Sequence, residues 1–243
     1  VVLQGDYSDP YAHFRVGYQV SKPLYVGLRQ NFEGSSLQDE ADRVYPGVDL
    51  KLRLLEETRT LPEISMGFQS LVGHKRMAGE YLVASKRFYD FDVSAGIGWG
   101  RFGSAGHFRN PFATISSHFG GDRSQFDEDP NRPEDWFTGE NVGLFAGVTY
   151  DTPIEGLRLS AEYGADRYVE EVARIDGYER PSPYALGVDY SYEDWMNIGA
   201  AVHGLDRVSL RWTFFPRFGA SEAKKRESLA LYQRRTDSFA PKK

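Results

Sequence analysis

Residues with catalytic or metal-binding chemistry are few and widely spaced in this chain. The five histidines are His13, His74, His107, His118 and His203. None has a second histidine or carboxylate at a metal-ligand spacing, since neither H-x-H nor H-E-x-x-H occurs. Ser117 beside His118 is the one adjacent pair resembling a nucleophile and its base, but sequence neighbours in a polar loop need not face each other. With no cysteine among 243 residues, thiol catalysis, disulfides and thiolate metal sites are excluded. We therefore expect no enzyme activity, no cofactor and no metal.

Charged residues at alternate positions form the more informative set. In one run, Asp49, Lys51 and Arg53 alternate with aliphatic residues. Successive side chains of a β-strand point to opposite faces, so such charges share one face. The residues predicted in this way to line a common interior are Arg15, Arg29, Lys51, Arg53, Glu63, Glu80, Lys86, Asp92, Arg101, Arg158, Glu162, Asp189, Arg207 and Arg211. Two interpretations stay open, namely a network of ion pairs that braces a wall and a path for a solute.

The elements that carry these charges are predicted to be strands. Alternation of apolar with small or polar residues recurs along the chain, as in Phe91, Val93, Ala95, Ile97 and Trp99. No comparable period of 3.6 residues occurs before residue 220, so we expect an all-β body. Twelve strands are predicted, starting near residues 2, 12, 24, 44, 62, 79, 91, 139, 157, 184, 196 and 206, with ten as the lower bound.

The content of the two faces favours a membrane barrel over a soluble sandwich. The polar faces are rich in Gly and Ser with both signs of charge, which suits a confined lumen. The apolar faces carry aromatic residues near strand ends, including Tyr184, Tyr192, Trp99, Trp212 and Phe214, as interfacial girdles do. A mean hydropathy of −0.52 and the absence of a long apolar run argue against a transmembrane helix and a signal peptide.

Connection lengths give the barrel an orientation. Short connections near 21–23, 89–90, 151–155 and 193–195 alternate with long polar ones near 33–43, 103–138 and 169–183. Outer-membrane barrels have short periplasmic turns and long outer loops, so we expect an antiparallel up-and-down transmembrane β-barrel over residues 1–215. The segment 103–135, which contains Phe108, Phe112, Ile115 and Phe119, is predicted to fold into the lumen, because those side chains would be poor in a solvated loop.

Residues 216–243 differ in composition from the rest. They hold eight basic and three acidic side chains, which leaves 21 basic and 32 acidic residues in 1–215. We expect a short basic periplasmic tail, partly helical or disordered, that offers a contact for an envelope protein partner. The acidic body gives no support to nucleic acid as a partner. With no cysteine to carry a lipid, the barrel itself is expected to hold the chain to its membrane.

Several stretches resemble a known family. They are 61–68, 79–88 with its E-Y-L-V-A-S-K-R-F sequence, 96–101, and 183–188 leading into Asp194, Trp195 and the final strand. Together they span about residues 11–215 and resemble the YjbH family of exopolysaccharide-associated outer-membrane proteins. The resemblance implies an outer-membrane β-barrel that takes part in export or surface assembly of an extracellular or capsular polysaccharide, and not an enzyme.

The expected function is therefore assistance to exopolysaccharide or capsule export in the bacterial cell outer membrane. The expected partners are outer-membrane lipid, the polysaccharide and an envelope protein bound through residues 216–243. Two alternatives stay open, a narrow porin-like channel for general solutes and a plugged structural barrel in an envelope complex. An outer-membrane hydrolase that uses Ser117 comes last.

Overall fold

The computed structural model describes residues 1–34, 43–121, 123, 130–204 and 207–216. More than half of the described chain is in strands, whose alternating side chains suit a sheet with two different faces. The strands are β1 (Val2–Ser8), β2 (Tyr11–Gln19), β3 (Leu24–Glu33), β4 (Val44–Leu55), β5 (Glu63–Gly73), β6 (Gly79–Phe88), β7 (Phe91–Gly98), β8 (Phe108–Arg109), β9 (Asn141–Asp151), β10 (Leu157–Tyr163), β11 (Tyr184–Tyr192), β12 (Met196–His203) and β13 (Arg207–Phe214).

Twelve of these strands form one closed antiparallel ring. Each long strand pairs with the next long strand in the sequence, so that β7 pairs with β9. The first strand pairs with the last, with Leu3 opposite Phe214. The pairing of β9 with β10 completes the ring. The two-residue β8 only adds to the end of β9, where Phe108 lies opposite Val142. The predicted 12-strand up-and-down barrel is confirmed, and each long strand begins within two residues of its predicted start.

The apolar face of the sheet points out of the ring. Leu28 is 62% exposed, Leu186 is 65% exposed and Val208 is 55% exposed. Exposed hydrophobic residues recur at alternate positions on β2, β7, β11 and β13, an arrangement that only a lipid environment satisfies over so large an area. The fold is a transmembrane β-barrel. Within the described ranges, no helix has both the length and the apolar character to cross a membrane.

The two ends of the barrel differ in the length of their connections. The short-turn end comprises connections 20–23, 56–62, 89–90, 152–156 and 193–195, and the long-loop end comprises 9–10, 34–43, 74–78, 99–140, 164–183 and 204–206. One α-helix, α1 (Val169–Arg174), lies in the connection 164–183. The sequence pattern did not predict it, because six residues make fewer than two turns and show no readable period.

Buried apolar residues gather at the long-loop end and not between sheets. Tyr11, Tyr45 and Met77 form one buried cluster there, each less than a tenth exposed. Trp99 is also buried, at 1% exposure, just beyond the end of β7. The expectation that Trp99 belongs to an outward aromatic girdle is therefore wrong, whereas Tyr184 and Tyr192 do lie exposed on the outer face. The packed interior of this molecule is the mouth of the barrel at its long-loop end.

Candidate functional site

The inward face of the barrel wall carries paired charges. Arg29 and Asp49 face each other from β3 and β4, and the guanidinium donates to Asp49 Oδ2 from Nε at 2.9 Å and from Nη2 at 2.6 Å. Both side chains are mostly buried. Arg15 pairs with Asp6 of β1 at 2.9 Å, and Arg211 with Asp189 at 3.2 Å. Removal of both signs of charge from water together limits the cost of burying either one.

The cross-strand register places most of the predicted lumen residues on this inward face. Those on the face that contains Arg29 and Asp49 are Arg15, Arg29, Lys51, Arg53, Glu63, Asp92, Arg158, Glu162, Asp189, Arg207 and Arg211. Arg53 contacts Glu56 and Glu63 near the short-turn end. Arg101 lies beyond the end of β7, in the long-loop mouth.

Glu80 and Lys86 do not lie in the lumen, and the prediction is wrong for both. Directly opposed residues in an antiparallel pair point to the same face. Lys86 lies opposite Val93, which is on the outer face, and Glu80 lies opposite Phe68. The inward residues of β6 are the odd-numbered ones, such as Ser85, whose hydroxyl lies 2.8 Å from that of Ser94.

Sequence reasoning missed several charged residues of the inward face, among them Arg87, Asp151 and Asp6. Arg87 of β6 forms an ion pair with Asp151 of β9, and Asp6 holds Arg15 from β1. A usable signal for Arg87 was its position opposite Asp92 across the tight connection 89–90, which fixes the register of β6 against β7.

A short helix closes the long-loop mouth. In ring order β3 lies six strands from β10 in a ring of twelve, which is directly across the barrel. Arg174, at the end of α1 and reached from β10, nevertheless forms an ion pair with Glu33 of β3. We call residues 165–178, which contain α1, the cap. Its backbone begins on the opposite wall, where the Ala105 N–H donates to the Ala165 carbonyl at 3.1 Å.

Buried carboxylates of the cap are held by arginines and tyrosines of the rim. The Glu171 side chain is fully buried and accepts from Arg101 Nη1 at 2.8 Å and from the Tyr11 hydroxyl at 2.6 Å. The Glu170 side chain is 1% exposed and pairs with Arg76 at 2.9 Å and with Arg174 at 2.7 Å. The rim groups come from β2 and from the turns that follow β5 and β7, so the cap is attached at several points around the mouth.

The electrostatics of the cap follow from burial beside Arg101. Burial opposes the charge on Glu171, but Arg101 and the Tyr11 hydroxyl outweigh it and hold the pKa of Glu171 below its usual value. Burial raises the pKa of Asp166, even though Arg101 Nε donates to that carboxylate at 2.5 Å. Burial also raises the pKa of Tyr168 to about 12. Of the two carboxylates beside Arg101, Glu171 therefore makes the more favourable ionic contact.

From Phe108 onward, the described residues of the connection 99–140 pack at the outer rim, so the prediction that the segment 103–135 fills the lumen with its aromatic residues is wrong for its described part. Phe68 is on the outward face and contacts Trp136 and Phe137, with ring centroids 5.1 and 5.5 Å apart. Phe137 in turn contacts Trp99 at 5.2 Å. Arg123 donates to Glu80 Oε1 at 2.9 Å. The aromatic residues of this segment cover outward positions at the rim and thereby avoid solvent without entering the barrel.

At the short-turn end, residues of the inward face and of the connection 152–156 line a cavity of about 390 Å³. We call this cavity the vestibule. Most of its lining residues are of polar or charged types, and they include Arg87, Asp92, Thr149, Asp151, Arg158 and Ser191. Such a lining offers hydrogen-bond donors and acceptors side by side, with little net charge.

The described histidines make structural contacts. His107 Nε2 lies 2.7 Å from the Tyr163 hydroxyl, and His203 Nε2 lies 3.0 Å from the Ser209 hydroxyl. Ser117 and His118 lie exposed in one 3₁₀ turn, and no hydrogen bond joins their side chains in the described structure. Among the described residues, no group of three His, Asp or Glu side chains is placed to hold a metal ion.

Family comparison accounts for the whole barrel. A family model described as YjbH, exopolysaccharide biosynthesis protein YbjH, matches residues 2–241. The chain belongs to the YjbH family. A YjbH relative from Escherichia coli (strain K12), described as an uncharacterized lipoprotein, is 30% identical over 198 residues, which cover 79% of this chain and 28% of the relative. The chain thus spans just over a quarter of the length of that YjbH lipoprotein.

Solved structures similar to this YjbH member include two porins. The KdgM porin is 9% identical, with a TM-score of 0.45 over 89% of this chain and 98% of the porin. The NanC porin is 13% identical, with a TM-score of 0.40 over 89% of this chain and 99% of the porin.

Proposed function

We propose that this YjbH-family barrel lies in the bacterial outer membrane and assists the export or surface assembly of an exopolysaccharide. The observation that carries the proposal is the asymmetry of the lumen, which has a polar vestibule at the short-turn end and a cap at the long-loop end. A polysaccharide presents hydroxyl groups along its whole length, and a wall of balanced donors and acceptors can bind these groups in turn. The cap would prevent leakage of small solutes while no polymer is present.

The short-turn end faces the periplasm in this proposal, because outer-membrane barrels place their short turns there. The polymer would enter the vestibule from the periplasm and displace the cap at the cell surface. No catalytic step is required. The basic residues 217–243, which lie outside the described ranges, would bind an envelope protein partner on the periplasmic side, and nucleic acid has no role.

Deletion of the coding sequence of this chain tests the proposal. We expect surface exopolysaccharide to fall and to be restored by the wild-type chain. A variant in which Arg87 and Arg158 are both Gln should restore it less well, because both arginines line the vestibule. Arg132→Gln is the control, since that side chain is 58% exposed in an outer connection. Unchanged surface exopolysaccharide after deletion would reject the proposal.

A plugged structural barrel in an envelope complex is the second candidate, favoured by the many buried ion pairs that hold the cap. In that case the lumen would stay closed, and the basic tail would carry the function by binding the envelope protein partner. Truncation after Pro216 would then abolish both partner capture and exopolysaccharide assembly, whereas the vestibule variant would behave as wild type. A general solute channel would show steady conductance of the wild-type chain in a planar bilayer. A cap across the long-loop mouth argues against such a channel.

A further inference from the structure

Several aromatic side chains lie on the inward wall, apart from the vestibule and the cap. Tyr81 of β6 contacts Phe145 of β9 and Phe102 of the 3₁₀ turn after β7, with ring centroids 6.2 and 5.9 Å apart. Tyr25 of β3 belongs to the same region, since Tyr25 and Tyr81 both interact electrostatically with Arg15, Arg29 and Asp49. We call Tyr25, Tyr81, Phe102 and Phe145 the aromatic track.

Glycines let two of these rings lie close against the wall. A Cβ at position 67 would lie 2.5 Å from Tyr81 Cε1, and a Cβ at position 17 would lie 2.6 Å from Tyr25 Cε2. Such distances are shorter than any side chain allows, so only glycine leaves room for the hydroxyl end of each ring over the neighbouring backbone. Both tyrosines are on the inward face, so ring surface that is not against the backbone borders the lumen.

The cross-strand register gives the track a direction along the barrel. Tyr25 lies opposite Lys51, Lys51 opposite Gly67, Gly67 opposite Tyr81, and Tyr81 opposite Gly98. Tyr25 is the second residue of β3, at the short-turn end, whereas Gly98 is the last residue of β7, at the long-loop end. Because barrel strands are tilted, this row of opposed residues rises from one mouth towards the other.

Polar groups beside the track have hydrogen-bonding capacity to spare. The hydroxyls of Tyr25 and Tyr81 make no hydrogen bond within the described structure, and Arg15 Nε is buried without a partner there. The Arg29–Asp49 pair interacts electrostatically with both tyrosines. The site thus combines ring faces with donors and acceptors of balanced charge.

We propose that the aromatic track binds a chain of uncharged pyranose rings through their C–H faces, with Arg15, Arg29 and Asp49 contacting the hydroxyls. Pyranoses carry apolar faces that pack on aromatic rings and an equator of hydroxyls that needs polar partners. The inclined row would let successive sugars occupy successive rings between the vestibule and the cap. This inference deepens the proposed function and names the substrate class of the lumen.

Isothermal titration calorimetry of the purified chain in an amine-oxide detergent, which lacks sugar headgroups, tests the track. The probes are cellohexaose and maltohexaose as neutral glucans and hexagalacturonate as an acidic chain. We expect at least one neutral glucan to bind better than hexagalacturonate. Tyr25→Ala and Tyr81→Ala should each weaken that binding roughly three- to tenfold, the effect of losing one aromatic contact.

Matched variants separate the ring contribution from general damage. Tyr25→Phe and Tyr81→Phe keep the stacking face and should retain most of the affinity, and Tyr18→Ala, on the outer face at 57% exposure, should leave it unchanged. Heat-dependent gel migration checks that each variant is a folded barrel. Absence of glucan binding by the wild-type chain, preference for hexagalacturonate, or full affinity in the folded Tyr25→Ala, Tyr81→Ala double variant would overturn the inference. If deletion lowers surface exopolysaccharide but the chain binds no glucan, only this inference fails. If the chain binds a glucan but deletion leaves surface exopolysaccharide unchanged, only the proposed function fails.

Discussion

Arg101 holds two carboxylates of the cap and lies against two tyrosine rings. Its guanidinium pairs with Asp166 and Glu171 and lies 4.9 Å from the centre of the Tyr168 ring. A buried ion pair adds little net stability, but loss of one partner leaves the other charge buried alone. Closure of the mouth therefore depends on single side chains such as Arg101, whereas the stability of the barrel does not depend on them.

Arg101→Met should open the mouth while the barrel stays folded. The substitution keeps the aliphatic volume and leaves Glu171 buried without its cation, at a local cost of about 3–5 kcal/mol. We expect faster hydrogen exchange in residues 165–178 and measurable single-channel conductance. Arg132→Met is the control, because the Arg132–Glu134 pair is exposed and 3.7 Å apart. Equal exchange in the two variants would contradict the assigned role of Arg101.

Glu171 gives cap closure a dependence on pH with a definite sign. Its pKa is held below the usual value of 4.5, so its stabilisation is complete at neutral pH and is lost as the pH falls through the lowered pKa. Asp166 has the opposite effect on the cap. Because its pKa is raised, it takes up a proton as the pH begins to fall, and the loss of its buried charge favours the closed cap. Conductance should thus stay low on mild acidification and rise only below about pH 4.5.

Glu171→Gln isolates this effect. The amide keeps the shape of the side chain but has no charge for Arg101, so the cap should be looser at neutral pH. The acid-induced rise in conductance should become small, since the group whose ionisation closes the cap is gone. If Glu171→Gln keeps the wild-type pH profile of conductance, the acid-induced rise comes from the titration of another group.

At the scale of elements, the mouth of the barrel is crossed by the connection predicted near 169–183 to be a long polar loop, and not by the predicted plug 103–135. Phe112 and Phe119 predict a buried loop, and both do pack against rings, but those rings lie at the outer rim. α1 contains the adjacent Glu170 and Glu171, which the sequence alone would place in solvent. In the structure they contact Arg76, Arg101 and Tyr11, which come from distant parts of the chain.

Replacement of residues 169–174 by alternating Gly and Ser tests α1 as the obstruction. The substitution removes Glu170, Glu171 and Arg174 together, and with them the ion pairs that cross the mouth. We expect a stable barrel with higher conductance than wild type in planar bilayers. If conductance stays at the wild-type level, the narrowest part of the lumen lies elsewhere, for example at the aromatic track.

The sequence predicts strands well and their contacts less well, for physical reasons. Alternation such as Phe91 to Ile97 encodes both the strand and its outer face, and these positions are placed correctly. The stretch from Glu80 to Phe88 mixes apolar and charged residues on both faces, so its register depends on pairing with β7. Trp99 continues the alternation of β7 but follows the last strand residue, where loop packing decides its position. Contacts such as Arg174 with Glu33 join residues far apart in sequence and leave no local pattern.

The whole molecule is inverted relative to a soluble protein, with exposed aliphatic residues outside and charges inside. The outer surface is thus adapted to lipid and the lumen to water or a polar polymer. The division into a barrel at 1–215 and a basic tail at 216–243 stays a prediction, because residues 217–243 lie outside the described ranges.

Lysine substitutions at neighbouring positions of β10 should measure this inversion. Leu159 is 46% exposed on the outer face, and Ser160 is on the inward face. Leu159→Lys should cost about 2–4 kcal/mol if the position lies near the midplane of the bilayer. Ser160→Lys should cost less, because the lumen supplies Glu162 and Asp189 on the same face. Urea unfolding of the chain in phospholipid vesicles gives both values, and equal costs would contradict the assignment of the two faces.

The connection 99–140 also has a consequence for the surrounding bilayer. Its rings cover Phe68, and its Arg123 covers Glu80, on the outer wall of β5 and β6 at the long-loop end. On the opposite side of the ring, outward residues such as Leu186 and Val208 stay uncovered. The hydrophobic belt is therefore lower on one side than on the other, and a belt of uneven height meets a membrane of uniform thickness by tilting or by thinning the nearby lipid. The barrel should accordingly sit with its axis inclined to the membrane normal, with the covered side of the long-loop rim raised into the headgroup region.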